Sequence, residues 1–472
     1  MHQFVKNYFG ENNILHIIPL AKAGSDRQYT RIITKEGSFI VCENENKKEN
    51  ASFIYFSNYF SQQQIPVPRI IAVSDDGRSY IQDDLGDFSL LDKVLQQGHT
   101  EQVKSYYEKS IHNLVKMQIV ASKDIDYTQC MASPRFGKTA VYMDLQYFKY
   151  YFMDLQSIVY DKVAFQTECE KLSLEIEGII PQHFMFRDFQ GRNIMILNEE
   201  PHFIDFQGGM QGPLQYDIAS LLWQAKAALP NEWKQSLYAY YKSIVKNEIA
   251  LDNDVFDSNY AKIVLVRLLQ VMGAYGFRGL IQKRAHFLSS IPQGLSNIQQ
   301  WLALYALPEY PVLYSIIQQL AQPTFIQKFE PLKANDETKL TVRINSFSYK
   351  RGIPNDDTGN NGGFVFDCRG ILNPGRFEEY KKLTGRDKPV IDFLEMKTRM
   401  PEFIAHTQQL VDISIEDYIA RDFEYLCIDF GCTGGQHRSV YSADSMAKHI
   451  QEKYNVKVEL HHIIQEEKNW VN

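Results

Sequence analysis

Residues 186–209, FRDFQGRNIMILNEEPHFIDFQGG, set Asp188 five positions before Asn193, then run through a short apolar stretch to a second acid, Asp205, inside an Ile-Asp-Phe triplet. An Asp–Asn pair at this spacing is, in isolation, a turn or a cap, because both residue types favour such positions. The order of parts around it is more restrictive. Residues 14–85 read as strand-rich, with runs at 38–42 and 79–82 set off by the turn clusters Glu36-Gly37 and Asp75-Asp76-Gly77. One helical stretch, about 50–63, interrupts them and stops before Pro66 and Pro68. From about 100 to 320 the pattern becomes long amphipathic helices. Leu265, Leu268, Leu269 and Met272 form one apolar stripe, and Leu221, Leu222 and Ala225 another; both read as core packing. After a polar connector, strand-like runs at 340–344, 364–366, 426–430 and 456–460 alternate with helical stretches, the pattern of a small α/β domain. The divisions expected are 1–327 (a strand-rich lobe to about 85, a helical lobe over 86–327), a linker at 328–337 and a last domain at 338–472.

Composition narrows the class. A chain of 472 residues exceeds the size at which one core usually stops growing, so several domains are expected. The net charge of −7 provides no global positive field for nucleic acid or anionic lipid. The first twenty residues lack the pattern of a secretory signal, and no apolar stretch reads as long enough to span a bilayer. Six cysteines, scattered without metal-type pairs, read as reduced thiols. A cytoplasmic protein without a membrane partner is expected.

Phosphoryl transfer asks little covalent chemistry of a protein. It needs a carboxylate to accept the proton of an attacking hydroxyl, and oxygen ligands that hold magnesium against nucleotide phosphates. A D-x-x-x-x-N loop, a strand and a following Asp supply these parts. Asp188 is therefore the candidate base, and Asn193 and Asp205 the candidate metal ligands, for ATP and Mg2+ as cofactors. Arg187 and Arg192 read as loop supports or as contacts for negative charge. Asp217, near the start of a helix opened by Tyr216, reads as a cap or a brace for the loop.

Residues 1 to about 325 resemble the aminoglycoside phosphotransferase/choline kinase superfamily, and within it the AmgK-type anomeric kinases of N-acetylmuramate and N-acetylglucosamine. The likeness is carried by 24–31 (GSDRQYTR), Pro66-Val67-Pro68, 82–86 (QDDLG) and the FRDFQGRN loop with its IDFQGG continuation. It implies an α+β, protein-kinase-like bilobal domain. It also implies a nucleotide-binding set of Gly24, Ser25, Arg27 and Tyr29 in a phosphate-covering loop, with Gln82, Asp83 and Leu85 in an adenine hinge read through backbone. Asp144, in Asp144-Leu145-Gln146-Tyr147-Phe148, stands where these kinases carry an acidic sugar contact; Arg187 and Gln190 are further candidate contacts to the amino sugar. Three departures stand out. Asp144 is one methylene shorter than the glutamate of the Glu-Leu-x-x-Phe segment in these kinases. No lysine occupies the strand position that usually holds ATP phosphates, where Ile40-Val41-Cys42-Glu43 is found, and Phe186 replaces a common His.

A second motif, 431–439 (GCTGGQHRS), follows an apolar strand and precedes a helical pattern starting near Tyr441. Such a turn leaves N–H groups unpaired at the positive end of a helix dipole, a natural anion site. Cys432, Thr433, Gly434, Gly435, Gln436, His437, Arg438 and Ser439 are its candidate residues, with Arg369. Cys432, Gly435, Arg438 and Ser439 also fit the cysteine-phosphatase pattern C-x-x-G-x-x-R-[ST], in which a thiolate attacks phosphorus. The wider segment, roughly 338–465, resembles the C-terminal domain of RapZ through Gly431–Val440, 366–369 with Asn373-Pro374, 383–387 and 346–350. This resemblance implies a smaller α/β domain that binds an amino-sugar phosphate, glucosamine 6-phosphate, and brings small RNA as a further partner. The family's basic end is not matched here, since 461–470 reads HHIIQEEKNW. The expectation is an ATP- and Mg2+-dependent amino-sugar kinase of cell-wall salvage fused to a phosphosugar-binding domain. Its alternatives are a regulatory protein whose kinase-like region only binds nucleotide, and a C-terminal phosphatase.

Overall fold

The computed structural model describes residues 2–20, 27–330, 334–335, 338–355, 359 and 363–468. The chain divides into two compact units, Met1–Phe329 and Glu330–Asn472. The first unit runs two residues past the expected 327, because Phe329 packs on Phe152 and Phe325.

The strand-rich segment forms a five-stranded antiparallel sheet of β1 (Ile14–Pro19), β2 (Gln28–Thr34), β3 (Ser38–Glu43), β4 (Ile70–Val73) and β5 (Ser79–Asp83), ordered β1-β2-β3-β5-β4. Side chains alternate across a strand, so adjacent residues face opposite ways. Val41 joins Ile32, Ile81 and Val5 of α1 (His2–Phe9) on one face, while Cys42 and Tyr80 join Phe53, Phe56 and Phe60 of α2 (Lys47–Gln62) on the other. α2 begins three residues before the expected 50, because the Asn46 side chain caps it by accepting the Glu49 N–H. A cap of this kind is worth about 1 kcal/mol.

The helical lobe packs around Asn253–Tyr275, in which Leu265, Leu268, Leu269 and Met272 are all buried as the stripe predicts. Gly273 is required where this helix meets Lys138–Tyr151, since a Cβ there would lie 2.8 Å from the Phe148 nitrogen. One correction concerns length. The helical run Asn253–Ile281 is long and apolar enough to cross a membrane by composition, contrary to the sequence expectation, but 61% of its apolar window is buried within the domain. Two short antiparallel pairs, β6 (His183–Met185) with β9 (Met210–Gly212) and the hairpin β7 (Ile194–Leu197) with β8 (Glu200–Phe203), carry the Asp188 loop.

The second unit is a wholly parallel sheet of β10 (Thr341–Ser348), β11 (Gly363–Asp367), β12 (Tyr425–Cys432) and β13 (Lys457–His462), ordered β11-β12-β10-β13. Val342, Ile344, Ile428 and Phe430 pack on Met446 and Ile450 of the helix Arg438–Tyr454. Parallel pairing gathers the carboxyl ends of the strands at one edge, where open α/β sheets place their ligands. The 431–439 turn lies at that edge.

Candidate active site and anion-binding turn

The Asp188 loop is built on a buried acid. Asp217 is 0% exposed, and its carboxylate accepts the N–H groups of Phe186 (2.8 Å) and Arg187 (2.9 Å) and the Gln118 amide (3.0 Å). Burial pushes its pKa up to about 7, against these donors and Arg267, which all favour the ionised form. The N–H of Arg187 needs this anchor because Arg187 is left-handed (φ 75°), a backbone state that costs about 1–3 kcal/mol. Asp217 is thus a brace, as its sequence position indicates. Phe186, in place of the usual His, gives up a hydrogen bond and packs instead against Phe189, Phe203 and Phe206.

The side chain of Asp188 is 45% exposed and lies 3.5 Å from the guanidinium of buried Arg267. Asn193 folds back on the loop: its Nδ2 donates to the Asp188 carbonyl (2.8 Å) and lies 3.4 Å from Asp205 Oδ2. The amide oxygen is then the atom left for a cation. Asp205 is also left-handed (φ 68°) and accepts from Gln207 at 2.8 Å. Among the described residues there is no cluster of three or more His, Cys, Asp or Glu able to hold a metal. A two-donor set suits magnesium, which keeps water and phosphate oxygens as its remaining ligands.

Asp144, on Lys138–Tyr151, joins this group. Burial raises its pKa to about 6, while Arg187 and Arg267 pull it down and Asp188 pushes it up, so all four share one electrostatic neighbourhood. Gln190 is half-buried on the same loop, its N–H donating to the Asp188 carbonyl. Gln82 is buried, Leu85 is 8% exposed, and the Asp83 carboxylate is taken by Arg69 (2.8 and 3.0 Å). The Gln82 Oε1 is buried and has no hydrogen-bond partner among the described residues. Arg27 is 2% exposed, pairs with Glu49 (3.1 Å) and donates to the Tyr29 hydroxyl (3.2 Å). Gly24 and Ser25 lie outside the described residues. Arg267, Glu49 and Gln207 escape the sequence reading. The one available signal is a lone arginine inside the apolar run 263–269.

The 431–439 turn behaves otherwise. Gln436 donates to the carbonyls of Lys381 (2.9 Å) and Leu383 (2.7 Å), and His437 Nε2 donates to that of Tyr380 (2.9 Å). Burial holds His437 below the ordinary imidazole range. These two side chains therefore correct the expectation that they meet an anion: they tie the turn to the 380–383 segment. Arg438, 3% exposed, donates from Nη1 to the carbonyls of Cys368, Arg369 and Ile371, while its Nη2 lies 3.5 Å from the Thr433 hydroxyl and its buried Nε has no hydrogen-bond partner among the described residues. Cys432 is 3% exposed, with Sγ 3.1 Å from the Ser439 hydroxyl and accepting the Gly435 N–H at 3.2 Å. Burial opposes its ionisation, yet the Ser439 hydroxyl and N–H, Arg438 and the Gln436 N–H outweigh it and lower the thiol pKa. Gly435 adopts φ 67°, which lets the turn close over Ser348.

A cavity of about 380 Å³ opens beside this turn, lined by Arg369, Asn373, Arg376, Thr433 and Arg438 and by residues 370–372. Arg369 lies 3.8 Å over the Tyr349 ring and is paired with Asp367. Cys432 and Ser439 do not line the cavity, whereas Arg376, which the sequence reading missed, does. Its signal is its place just after the Asn373-Pro374 pair.

Comparison with known proteins assigns both units. Residues 16–250 match the model of the phosphotransferase enzyme family, and residues 340–464 that of the RapZ C-terminal domain. The chain thus joins a domain that matches the phosphotransferase enzyme family to one that matches the RapZ C-terminal domain. Curated relatives are named only as nucleotide-binding proteins. One from Glaesserella parasuis is 38% identical over 133 residues, 28% of this chain and 44% of its own. Another from Bifidobacterium adolescentis is 40% identical over 123 residues, 26% and 38% of the two chains. A third, from Ralstonia nicotianae, is 32% identical over 170 residues, 36% of this chain and 55% of its own. The chain therefore spans about half or less of the length of these relatives. Among solved structures, choline kinase LicA from Streptococcus pneumoniae aligns with a TM-score of 0.44 and 10% identity, over 65% of this chain and 99% of its own. Amicoumacin kinase hAmiN, in complex with AMP-PNP, Ca2+ and Ami, aligns with a TM-score of 0.43 and 14% identity, over 69% and 97%.

Proposed function

We propose that the chain is a cytoplasmic, ATP- and magnesium-dependent kinase of an amino sugar, N-acetylglucosamine or N-acetylmuramate, acting at the anomeric hydroxyl in cell-wall sugar recycling. The observation that carries the phosphotransferase reading is the convergence of Asp188, Asn193 and Asp205 on one braced loop. Asp188 accepts the proton of the attacking hydroxyl, and Arg267 at 3.5 Å orients its carboxylate. Asn193 and Asp205 would hold the magnesium ion, which when bound neutralises charge on the nucleotide phosphates. Asp144, Arg187 and Gln190 face the sugar. A coupled ADP assay over a panel of amino sugars tests this reading: sugar-stimulated ADP release is expected, and its absence with every sugar favours a protein that only binds nucleotide.

The C-terminal domain is read as the binding site of an amino-sugar phosphate, with Arg369, Arg376 and Thr433 meeting the phosphate in the cavity. The lowered thiol pKa of Cys432 favours a second reading, a thiolate phosphatase. Against it, the sulfur is enclosed by Ser439 and the Gly435 N–H rather than turned into the cavity. A chromogenic phosphate ester offered to the whole chain, with Cys432→Ser as control, separates the two. Hydrolysis that disappears in the variant would establish the phosphatase.

A further inference from the structure

In the kinase-like fold, a lysine on the third strand holds ATP phosphates and pairs with a glutamate on the helix that follows. Here the glutamate is present without the lysine. Glu49 lies in the first turn of α2, and Asn44 Nδ2 fixes its Oε2 at 2.9 Å. Its other oxygen meets a cation from the residue just before β2: Arg27 Nε lies 3.1 Å from Oε1, with the two side chains 1% and 18% exposed.

The sheet register explains how this is possible. Tyr29 pairs with Cys42 across the β2–β3 ladder, and opposed residues share a face. Arg27, the residue just before β2 begins, donates to the Tyr29 hydroxyl at 3.2 Å, so its guanidinium lies on the side of Tyr29 and Cys42. That face turns toward α2. The cation therefore occupies the space over Cys42 from just before the neighbouring strand, and the cysteine leaves room for it.

We propose that Arg27, anchored by Glu49, is the cation that meets the nucleotide phosphates in place of the strand lysine; this rests on the kinase reading above. Two further observations point toward a ligand. The guanidinium lies 5.6 Å over the ring of Phe53, which stacks at 4.7 Å on Phe206, the residue after Asp205. From Glu49, Gln207 bridges onward at 3.5 Å and donates to Asp205 at 2.8 Å, so cation, helix acid and metal-ligand candidate form one connected set. In addition, Arg27 Nη2 is buried and has no hydrogen-bond partner among the described residues. A guanidinium donor left unpaired in the interior is costly, and an oxyanion is the partner that satisfies it. The planar fork of arginine also suits phosphate better than a lysine would at this longer reach.

The experiment is calorimetric binding of Mg2+–AMP-PNP and, separately, of adenosine to the full chain. For Arg27→Gln, AMP-PNP affinity is expected to fall about tenfold or more, the scale of a lost charge-assisted hydrogen bond, with adenosine within about twofold of wild type. The double variant Arg27→Met/Cys42→Lys, which rebuilds the usual strand lysine, is expected to recover most of the phosphate-dependent affinity. If Arg27→Gln does not fold, Glu49→Gln provides the same comparison, with about a fivefold loss expected for AMP-PNP only. A folded variant that binds AMP-PNP like wild type, or one that loses adenosine equally, would reduce the pair to a structural ion pair and overturn the inference. Failure of wild type to bind AMP-PNP would instead overturn the kinase reading, and the inference with it.

Discussion

The two motif-bearing turns of this chain use their signature residues in opposite ways. In the 186–193 loop the signature acid is half exposed, and a buried acid behind it, Asp217, holds the backbone in place. In the 431–439 turn the signature side chains themselves do the holding. Gln436 and His437 are spent on backbone carbonyls, Cys432 is enclosed, and Arg438 holds carbonyls through Nη1 while lining the cavity together with Thr433 and with Arg369, Asn373 and Arg376 from a separate segment. The first motif leaves its signature acid half exposed, whereas the second spends most of its polar side chains on backbone shape. A polar side chain in a motif is therefore a ligand candidate only once its hydrogen bonds within the protein have been counted.

The largest effect expected to sharpen this contrast is on the exposed acid. Asp188→Asn should lower the rate of transfer by about a thousandfold, the scale of a lost general base, with AMP-PNP affinity retained. A coupled ADP assay and calorimetry on the same sample check both halves. Next comes the brace: Asp217→Ala strands the buried N–H groups of Phe186 and Arg187 and should cost about 2–4 kcal/mol in urea unfolding. In the second unit the order reverses. Arg376→Ala, outside the glycine-rich motif, should weaken glucosamine 6-phosphate binding about tenfold without changing the melting temperature. Gln436→Ala, inside it, should cost about 1–2 kcal/mol of stability through two lost hydrogen bonds. Equal binding losses in these two variants would break the contrast.

The smallest effect is in pH. Asp144 and Asp217 have pKa values raised to about 6 and about 7 in the folded protein. An unfolded chain releases these protons near pH 4, at about the ordinary carboxyl value. Between about pH 4 and 7 the folded state holds the more protons, so stability falls as pH rises through that window and levels off above it. Asp144→Asn should remove the lower part of this slope, together with any inflection near pH 6 in the KM for the sugar.

Several parts of the site were legible because they are local in sequence. Asp188, Asn193 and Asp205 lie within one short segment, and the apolar period of 265–272 marks its helix directly. What the sequence hides is long-range. Arg267 reaches Asp188 from a helix whose neighbours all read as core, and Glu49 looks like an ordinary acid in a first helical turn. The absence of a strand lysine is visible in 40–43, and the resemblance names Arg27, but its pairing with Glu49 beside Cys42 becomes visible only in the folded sheet. In the turn at 431–439, the glycines mark a strand-to-helix connection, and the structure has one there at the carboxyl edge of the parallel sheet. Composition cannot show that His437 and Gln436 find carbonyl partners on the 380–383 segment.

Phosphorus NMR of the product tests the central claim most directly. Full-length chain incubated with Mg2+, ATP and N-acetylglucosamine or N-acetylmuramate should yield ADP and a new sugar phosphate signal coupled to the anomeric proton, and neither should form with Asp188→Asn. ADP without a sugar phosphate, or an unchanged yield from the variant, would contradict an amino-sugar kinase with Asp188 as its base.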